Sequence, residues 1–312
     1  MKNSKFFLCI IVILIVILGF TSTVFGATKY NIGFDVIHIA SWTKKLMDGA
    51  LEKAKELNVN LEIYNADYKI ENQIQQVEDM ITQKFDAIII HSVDYNGSAI
   101  LVDHAKEAGI PVVEVDTETS SDNRAVFVGA NNLEAGEKQA EWILKNLGSD
   151  TGGNIAILHG AIGATTQKLR YQGFKEALLD KYPNWKVLVE LTANWRRDEA
   201  MRITEDWLQS YGDKIDVIIA HSDDMAMGAV QAIKNYGVKT NIKVLGIDAV
   251  EDAVQAVKDG EMAMTVFQDP RNLGKKSVEV AVGILEGKTY PERVLIHFVP
   301  VTKENADEYL TK

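Results

Sequence analysis

Cysteine is almost missing from this chain: among 312 residues there is one, Cys9, and it lies in an N-terminal apolar run. No disulfide can therefore staple the remainder, and no C-x-x-C pair exists for a metal or redox centre. The six histidines are scattered, without H-E-x-x-H or H-x-x-x-H spacing, and neither G-x-S-x-G nor G-x-x-x-x-G-K-[ST] occurs. These gaps remove the commonest metalloenzyme, hydrolase and nucleotide-binding signatures. Proline is scarce, at five, and there is no Pro-rich or Gly/Ser-rich linker, low-complexity tract or long charge run. Positive charge is in deficit as well, with a formal net charge of −11. Nucleic acid and anionic membrane surfaces, which call for basic patches, are not expected partners.

The first segment reads as a targeting signal. Lys2 and Lys5 precede the unbroken apolar run Phe6–Phe20, and Val24-Phe25-Gly26 offers a cleavage site before Ala27. The run is shorter than the roughly 18 apolar residues of a membrane span. Residues 1–26 are thus expected to be a cleaved signal peptide, and Cys9 is too deep in the run to be a lipid-attachment site. Removing Lys2 and Lys5 leaves 31 basic against 44 acidic residues, a formal −13. The remaining chain, about 286 residues, is long enough for two domains with their own cores.

"DAIIIHSVD" at 86–94 and "DVIIAHSDD" at 216–224 are nearly the same phrase written twice. The surroundings explain it, because short apolar runs alternate with helical periods in both halves. Strands are predicted at Ile32–Val36, Leu61–Tyr64, Ala87–Ile90 and Val112–Val115, then at Ile155–Leu158, Val187–Leu191, Val217–Ala220 and Val244–Ile247. Between them Leu46, Ala50, Ala54 and Leu57, then Ile74, Val77 and Ile81, then Ala99, Val102 and Ala105 recur at helical spacing. Gln167–Leu179, Glu199–Gln209 and Met225–Tyr236 do so in the second half. This pattern predicts an α/β fold of two doubly wound lobes with parallel sheets. The repeated phrase is the same buried strand in each lobe, so His91-Ser92 and His221-Ser222 fall just past its carboxyl end, where open parallel sheets bind ligands. Chain crossings between lobes are expected at Ala130–Asn132, Gln268–Pro270 and near His297–Pro300.

Trp42, His91, Asp116, Arg170, Trp195, Ser222, Asp248 and Gln268 each follow a predicted strand and form the candidate ligand-binding set. Sugar hydroxyls both donate and accept, so their pocket needs carboxylates, guanidinium and amide donors, and flat aromatic faces for the C–H side. Trp185 and Trp207 read as core, whereas Trp195 sits among polar loop residues. Gly160-Ala161-Ile162-Gly163 reads as a tight strand-to-helix turn with Thr165 or Thr166 near the cap. Asp223-Asp224 reads as a pair of carboxylates at a helix start, and Ser222 is equally plausible as a cap.

The phrases "MDGALEKAKEL", "AGIPVVEVDTE", "VFVGANNLEAG", "RYQGFKEAL", "AHSDDMAMGAVQAIK", "VLGIDAVEDAVQAVKDGEMAMTVFQDP" and "VPVTKENADEY" occur in that order from Met47 to Tyr309. In this order they resemble periplasmic sugar-binding proteins of the D-ribose-binding type, the soluble receptors of ABC importers, over about Lys29 to Leu310. The resemblance implies the type I periplasmic binding protein fold, with a three-strand hinge and a ligand between the lobes. It implies lobes of residues 27–130 with 269–298, and 131–268 with 299–312. Asp116, Arg170, Asp248 and Gln268 match the family's sugar-binding positions, and Trp42 stands at its stacking position with Thr43 in place of a second aromatic. His91 and Ser222 replace asparagines, Thr117 replaces an arginine, and Ile247 replaces a phenylalanine.

These departures argue against ribose and for another pentose, a hexose or a cyclic polyol, because a site built for particular hydroxyls rejects analogues that leave its groups unpaired. Arg170 set against Asp116 and Asp248 favours a neutral ligand, unless Arg196 or Arg197 turns inward. The expected protein is a periplasmic or otherwise extracytoplasmic monomer, without cofactor or metal, that delivers its ligand to ABC permease subunits. The rivals are a sensor domain signalling to a chemoreceptor or histidine kinase and, more remotely, a secreted carbohydrate-active enzyme using Asp116 and Asp248.

Overall fold

The computed structural model describes residues 29–237 and 241–310, so the expected signal peptide lies outside the described residues. The first sheet is built from β1 (Asn31–Val36), β2 (Asn60–Asn65), β3 (Ala87–Ile90), β4 (Val112–Val115) and β5 (Val126–Ala130). The helices between them are α1 (Ser41–Leu57), α2 (Ile70–Thr82) and α3 (Ala99–Glu107). β3, β4 and β5 are buried along their whole lengths, as apolar strands covered on both faces must be. The chain then enters α4 (Asn132–Leu147) and a second unit: β6 (Gly153–His159), α5 (Thr165–Phe174), β7 (Trp185–Thr192), α6 (Arg197–Tyr211), β8 (Val217–Ala220), α7 (Asp223–Tyr236), β9 (Lys243–Leu245), α8 (Glu251–Asp259) and β10 (Thr265–Phe267). It returns through α9 (Pro270–Leu285) and β11 (Arg293–Ile296), and crosses again to β12 (Val299–Val301).

The first sheet has the order β11-β5-β4-β3-β1-β2 and the second β7-β6-β8-β9, all parallel. β10 and β12 pair antiparallel and join the second sheet through bridges from Leu245 to Met264 and Asp248 to Phe267. Three chain passages therefore connect the sheets, after β5, after β10 and between β11 and β12. Both halves use one device to bring helices close. A β-carbon at Gly136 in α4 would lie 2.0 Å from the Arg170 carbonyl oxygen, and one at Gly173 in α5 would lie 2.0 Å from that of Leu133. Only glycine permits this backbone contact, which fixes the part of α5 that carries Arg170.

The sequence reading and the structure differ in three places. The helix expected over Gln167–Leu179 starts at Thr165, and its last five residues, Lys175–Leu179, widen into a π-turn in which the Asp180 N–H bonds the Lys175 carbonyl. The strand expected to end at Ile247 leaves its sheet after Leu245, because the N–H groups of Gly246 and Asp248 turn to the carbonyls of Met264 and Val266. Segments that carry no strong period, β5 and β11 among them, complete the first sheet by pairing with each other.

Burial of acids is a stability device with a sign. Burial raises the carboxyl groups of Asp35, Glu114 and Asp223 to about 7, against weaker opposing hydrogen bonds from Gln73, Thr119 and Thr265 respectively. A raised acid contributes stability that is complete below its ordinary value and lost as pH climbs through the folded one. Buried His38, pushed down to about 3 chiefly by burial, opposes this only once pH falls below roughly 6.5. The unfolding midpoint is expected to be several degrees higher at pH 6 than at pH 8. Thermal scans of wild type and Asp35→Asn check this, since the variant should show the smaller difference.

Candidate ligand-binding site

The carboxyl ends of both sheets face one cavity of about 550 Å³, counting the part open to solvent. All eight residues singled out from the sequence line it, together with Ile37, His38, Ala40, Thr43, Thr117, Ala164, Thr166 and Asp224. β3 and β4 deliver His91 and Asp116 from one sheet, while β9 and β10 deliver Asp248 and Gln268 from the other side. Trp42 comes from the first turn of α1, Arg170 from α5, Trp195 from the β7–α6 loop, and Ser222 from the start of α7.

A hydrogen-bonded chain spans the two halves. Asp116 accepts from Gln268 Nε2 at 2.5 Å and faces His91 Nε2 at 3.3 Å. Gln268 Oε1 accepts from Arg170 Nη2 at 3.1 Å. Arg170 also donates from Nε to Asn132 at 2.9 Å and from Nη1 to the His221 carbonyl at 2.5 Å, and it lies 3.9 Å from Asp248. Each nitrogen of the guanidinium thus donates one hydrogen bond within the protein, which leaves two of its five N–H groups for a ligand, and its carbon sits 5.8 Å from the centre of the Trp195 ring. The lobes touch outside the cavity too. The Tyr95 N–H donates to the Gly163 carbonyl at 3.3 Å, and the Thr165 hydroxyl to the Glu118 carbonyl at 3.2 Å.

The two carboxylates are electrically unlike. Burial alone would raise Asp116, but the His91 contact, with Arg170 and Gln268, outweighs burial and holds its carboxyl below the ordinary value. Asp248 is driven well above it, first by burial and then by Asp223, Asp224 and Asp116, with Arg170 only partly offsetting them. Both sit on left-handed backbone, Asp116 at φ 62° and Asp248 at φ 127°, as does Trp195 at φ 62°. Such conformations cost about 1–3 kcal/mol each and persist where the surroundings enforce them. The Trp195 ring lies where a β-carbon at Gly160 would fall, 2.1 Å away, so the glycine leaves the floor on which the indole rests.

Ser222 lines the cavity and also caps α7, accepting the Met225 N–H at 3.4 Å. Thr165 opens α5 but makes no cap bond; its hydroxyl reaches across to Glu118. Asp223 and Asp224 do start α7 and place two acidic groups in its first turn, and their side chains also bond outside the helix. Asp223 bonds the turn after β9, while Asp224 pairs with Arg197 at 2.8 Å and reaches the cavity wall. Asp224 was not in the sequence-predicted set, and only its place two residues after Ser222 marked it. Arg196 is held by Asp198 and Glu199, and Arg197 by Asp224 and Asp252, so neither arginine lines the cavity. Trp185 and Trp207 are buried in the core.

Two parallel-sheet lobes with three connections and a cavity between them lined by charged, amide and aromatic side chains describe a known architecture, and residues 32–289 match the periplasmic binding protein domain. The chain belongs to this family. It is similar to the xylitol-binding protein of Mycolicibacterium smegmatis, 33% identical over 93% of this chain and 83% of that one. It is 32% identical to the ribose import binding protein of Bacillus subtilis, covering 83% of each. Among solved structures it resembles an ABC transporter solute-binding protein of Bacillus halodurans with bound myo-inositol, at TM-score 0.86 and 32% identity over 92% of this chain and 99% of that one. It also resembles the fructose-binding periplasmic domain of a hybrid two-component system, at TM-score 0.85 and 31% identity over 90% and 93%. The type I fold and the likeness to ribose-binding proteins expected from the sequence both hold.

Proposed function

We propose that this chain is an exported receptor that holds a neutral monosaccharide or cyclic polyol between its lobes and presents it to an ABC permease. The observation that carries the reading is the composition of one cavity: an ionised carboxylate, a second buried carboxyl, a guanidinium held through each of its nitrogens, a bridging amide and two indoles. Asp116 and Asp248 accept ligand hydroxyls, Arg170 donates, and Trp42 and Trp195 offer stacking faces. The relatives named for xylitol and ribose, and the neighbour with bound myo-inositol, are the ligand classes this chemistry fits.

Charge argues for neutrality. Among the described residues Arg170 is the one lysine or arginine on the cavity wall, and it already faces Gln268 and Asp248. The carboxylate of a sugar acid would meet three acidic groups, Asp116, Asp224 and Asp248, with no unshared arginine or lysine. Closure follows from differential binding: contacts with residues from both lobes exist only in the closed form, so a ligand that makes them shifts the population towards it. No bond is made or broken in this reading.

Thermal unfolding of residues 27–312 against D-ribose, D-galactose, xylitol, myo-inositol and the corresponding sugar acids tests it. A compound at 100 times its dissociation constant adds about 2.7 kcal/mol, a shift of several degrees. One neutral compound should shift the midpoint and be recovered unchanged; a shift with an acid alone, or its turnover, would overturn the reading. The likeness to a two-component sensor domain supports a second reading, in which the closed form engages a signalling receptor. Co-purification from membranes with ligand present separates the two partners.

A further inference from the structure

Asp248 and Ala249 are consecutive non-glycine residues with positive φ, 127° and 53°, and Asp248 lines the cavity. A turn of this kind does not hold itself, because both residues relax to negative φ when released. Its three successive N–H groups show what holds it. That of Asp248 goes to the Val266 carbonyl at 2.8 Å, that of Ala249 to the Thr265 hydroxyl at 3.2 Å, and that of Val250 to Asp223 Oδ2 at 3.0 Å. Thr265 in turn donates its hydroxyl to Asp223 Oδ1 at 2.7 Å. The Asp223 N–H then donates to the Ile247 carbonyl at 2.7 Å and reaches Asp248 Oδ2 at 3.4 Å.

Asp223 and Thr265 are both completely buried and do not line the cavity. Gly246 closes against the same carboxylate, since a β-carbon there would lie 2.1 Å from Asp223 Oδ1. A carboxylate in the first turn of a helix ordinarily faces that helix's own N–H groups. The Asp223 carboxylate instead bonds one N–H of the turn directly and a second through Thr265. We infer that Asp223 and Thr265 are positioning residues that clamp the Asp248–Ala249 turn and so aim the Asp248 carboxyl at the ligand. The ligand half of this inference rests on the receptor reading above; the clamp itself does not.

The test uses residues 27–312 and two readouts. Thr265→Val keeps the side-chain shape and removes the hydroxyl, so the Ala249 and Val250 amides should exchange hydrogen at least tenfold faster than in wild type. Affinity for whichever of D-ribose, D-galactose, xylitol and myo-inositol raises the wild-type midpoint most should fall about tenfold or more. Thr265→Ser should restore both. In an Asp248→Asn background, Thr265→Val should change affinity by less than about twofold, because the residue it serves is already gone. Unchanged amide exchange in Thr265→Val, or affinity losses that multiply in the double variant, would overturn the inference. Should Thr265→Val not fold, Thr265→Ala, which also lacks the hydroxyl, carries the same prediction. If no compound binds, the receptor reading has failed, and amide exchange alone still decides whether the clamp exists.

Discussion

Asp116→Asn is expected to weaken binding of the cognate neutral polyol by tens- to a hundredfold while leaving the fold intact. Asparagine tolerates the left-handed backbone that Asp116 adopts, so the change removes charge more than shape. Charged hydrogen bonds contribute about 1.5–3 kcal/mol, which is the stated range in affinity. Asp116 accepts from Gln268, which in turn accepts from Arg170, so the substitution also weakens the chain that ties one lobe to the other. The thermal midpoint without ligand should drop only modestly, whereas the ligand-induced shift should nearly vanish at the concentrations that stabilise wild type. An unchanged dissociation constant would remove Asp116 from the site.

The second large effect comes from a residue with no side chain. Gly160→Ala puts a β-carbon where the Trp195 ring now lies, and the indole must leave. The variant loses one stacking face and the cation–π contact with Arg170, at 5.8 Å. Aromatic contacts of this kind contribute about 0.5–1.5 kcal/mol beyond buried area, and a displaced indole also obstructs the cavity. The expected loss of affinity is about tenfold or more, matching Trp195→Ala. Combining the two substitutions should cost little beyond either alone, because both act on one ring. Titration of the two single variants and the double variant measures this; multiplying losses would show that Gly160 matters for another reason.

The repeated grammar of strand and helix was readable because parallel strands buried on both faces are nearly pure apolar runs: Ala87–Ile90 and Val217–Ala220 stand out from any neighbour. Placing His91, Asp116, Ser222 and Asp248 at one cavity followed from the rule that such sheets bind ligands at their carboxyl ends. Gln268 and Trp42 were singled out with them as residues expected just past strands, and the resemblance to a known family then matched them to its sugar-binding and stacking positions. Tertiary relations remained hidden. Asp223-Asp224 looks like helix-start chemistry in sequence, and only the packing of the β9–α8 turn shows Asp223 accepting the Val250 N–H of the turn that carries Asp248. Gly160 looked like one glycine of a tight turn until Trp195 was found lying against it. The neutral-ligand argument was conditional on Arg196 and Arg197, and the paired carboxylates of Asp198, Glu199, Asp224 and Asp252 supply what the sequence could not.

The central claim is that one neutral polyol or monosaccharide binds between the lobes. Titration calorimetry of residues 27–312 with D-ribose, D-galactose, xylitol and myo-inositol, run beside Asp116→Asn and the corresponding sugar acids, tests it most directly. One saturable site per chain is expected for a neutral compound, with strong weakening in the variant and no heat of binding from the acids. Binding that survives Asp116→Asn unchanged, or that appears only with an anionic compound, would contradict it.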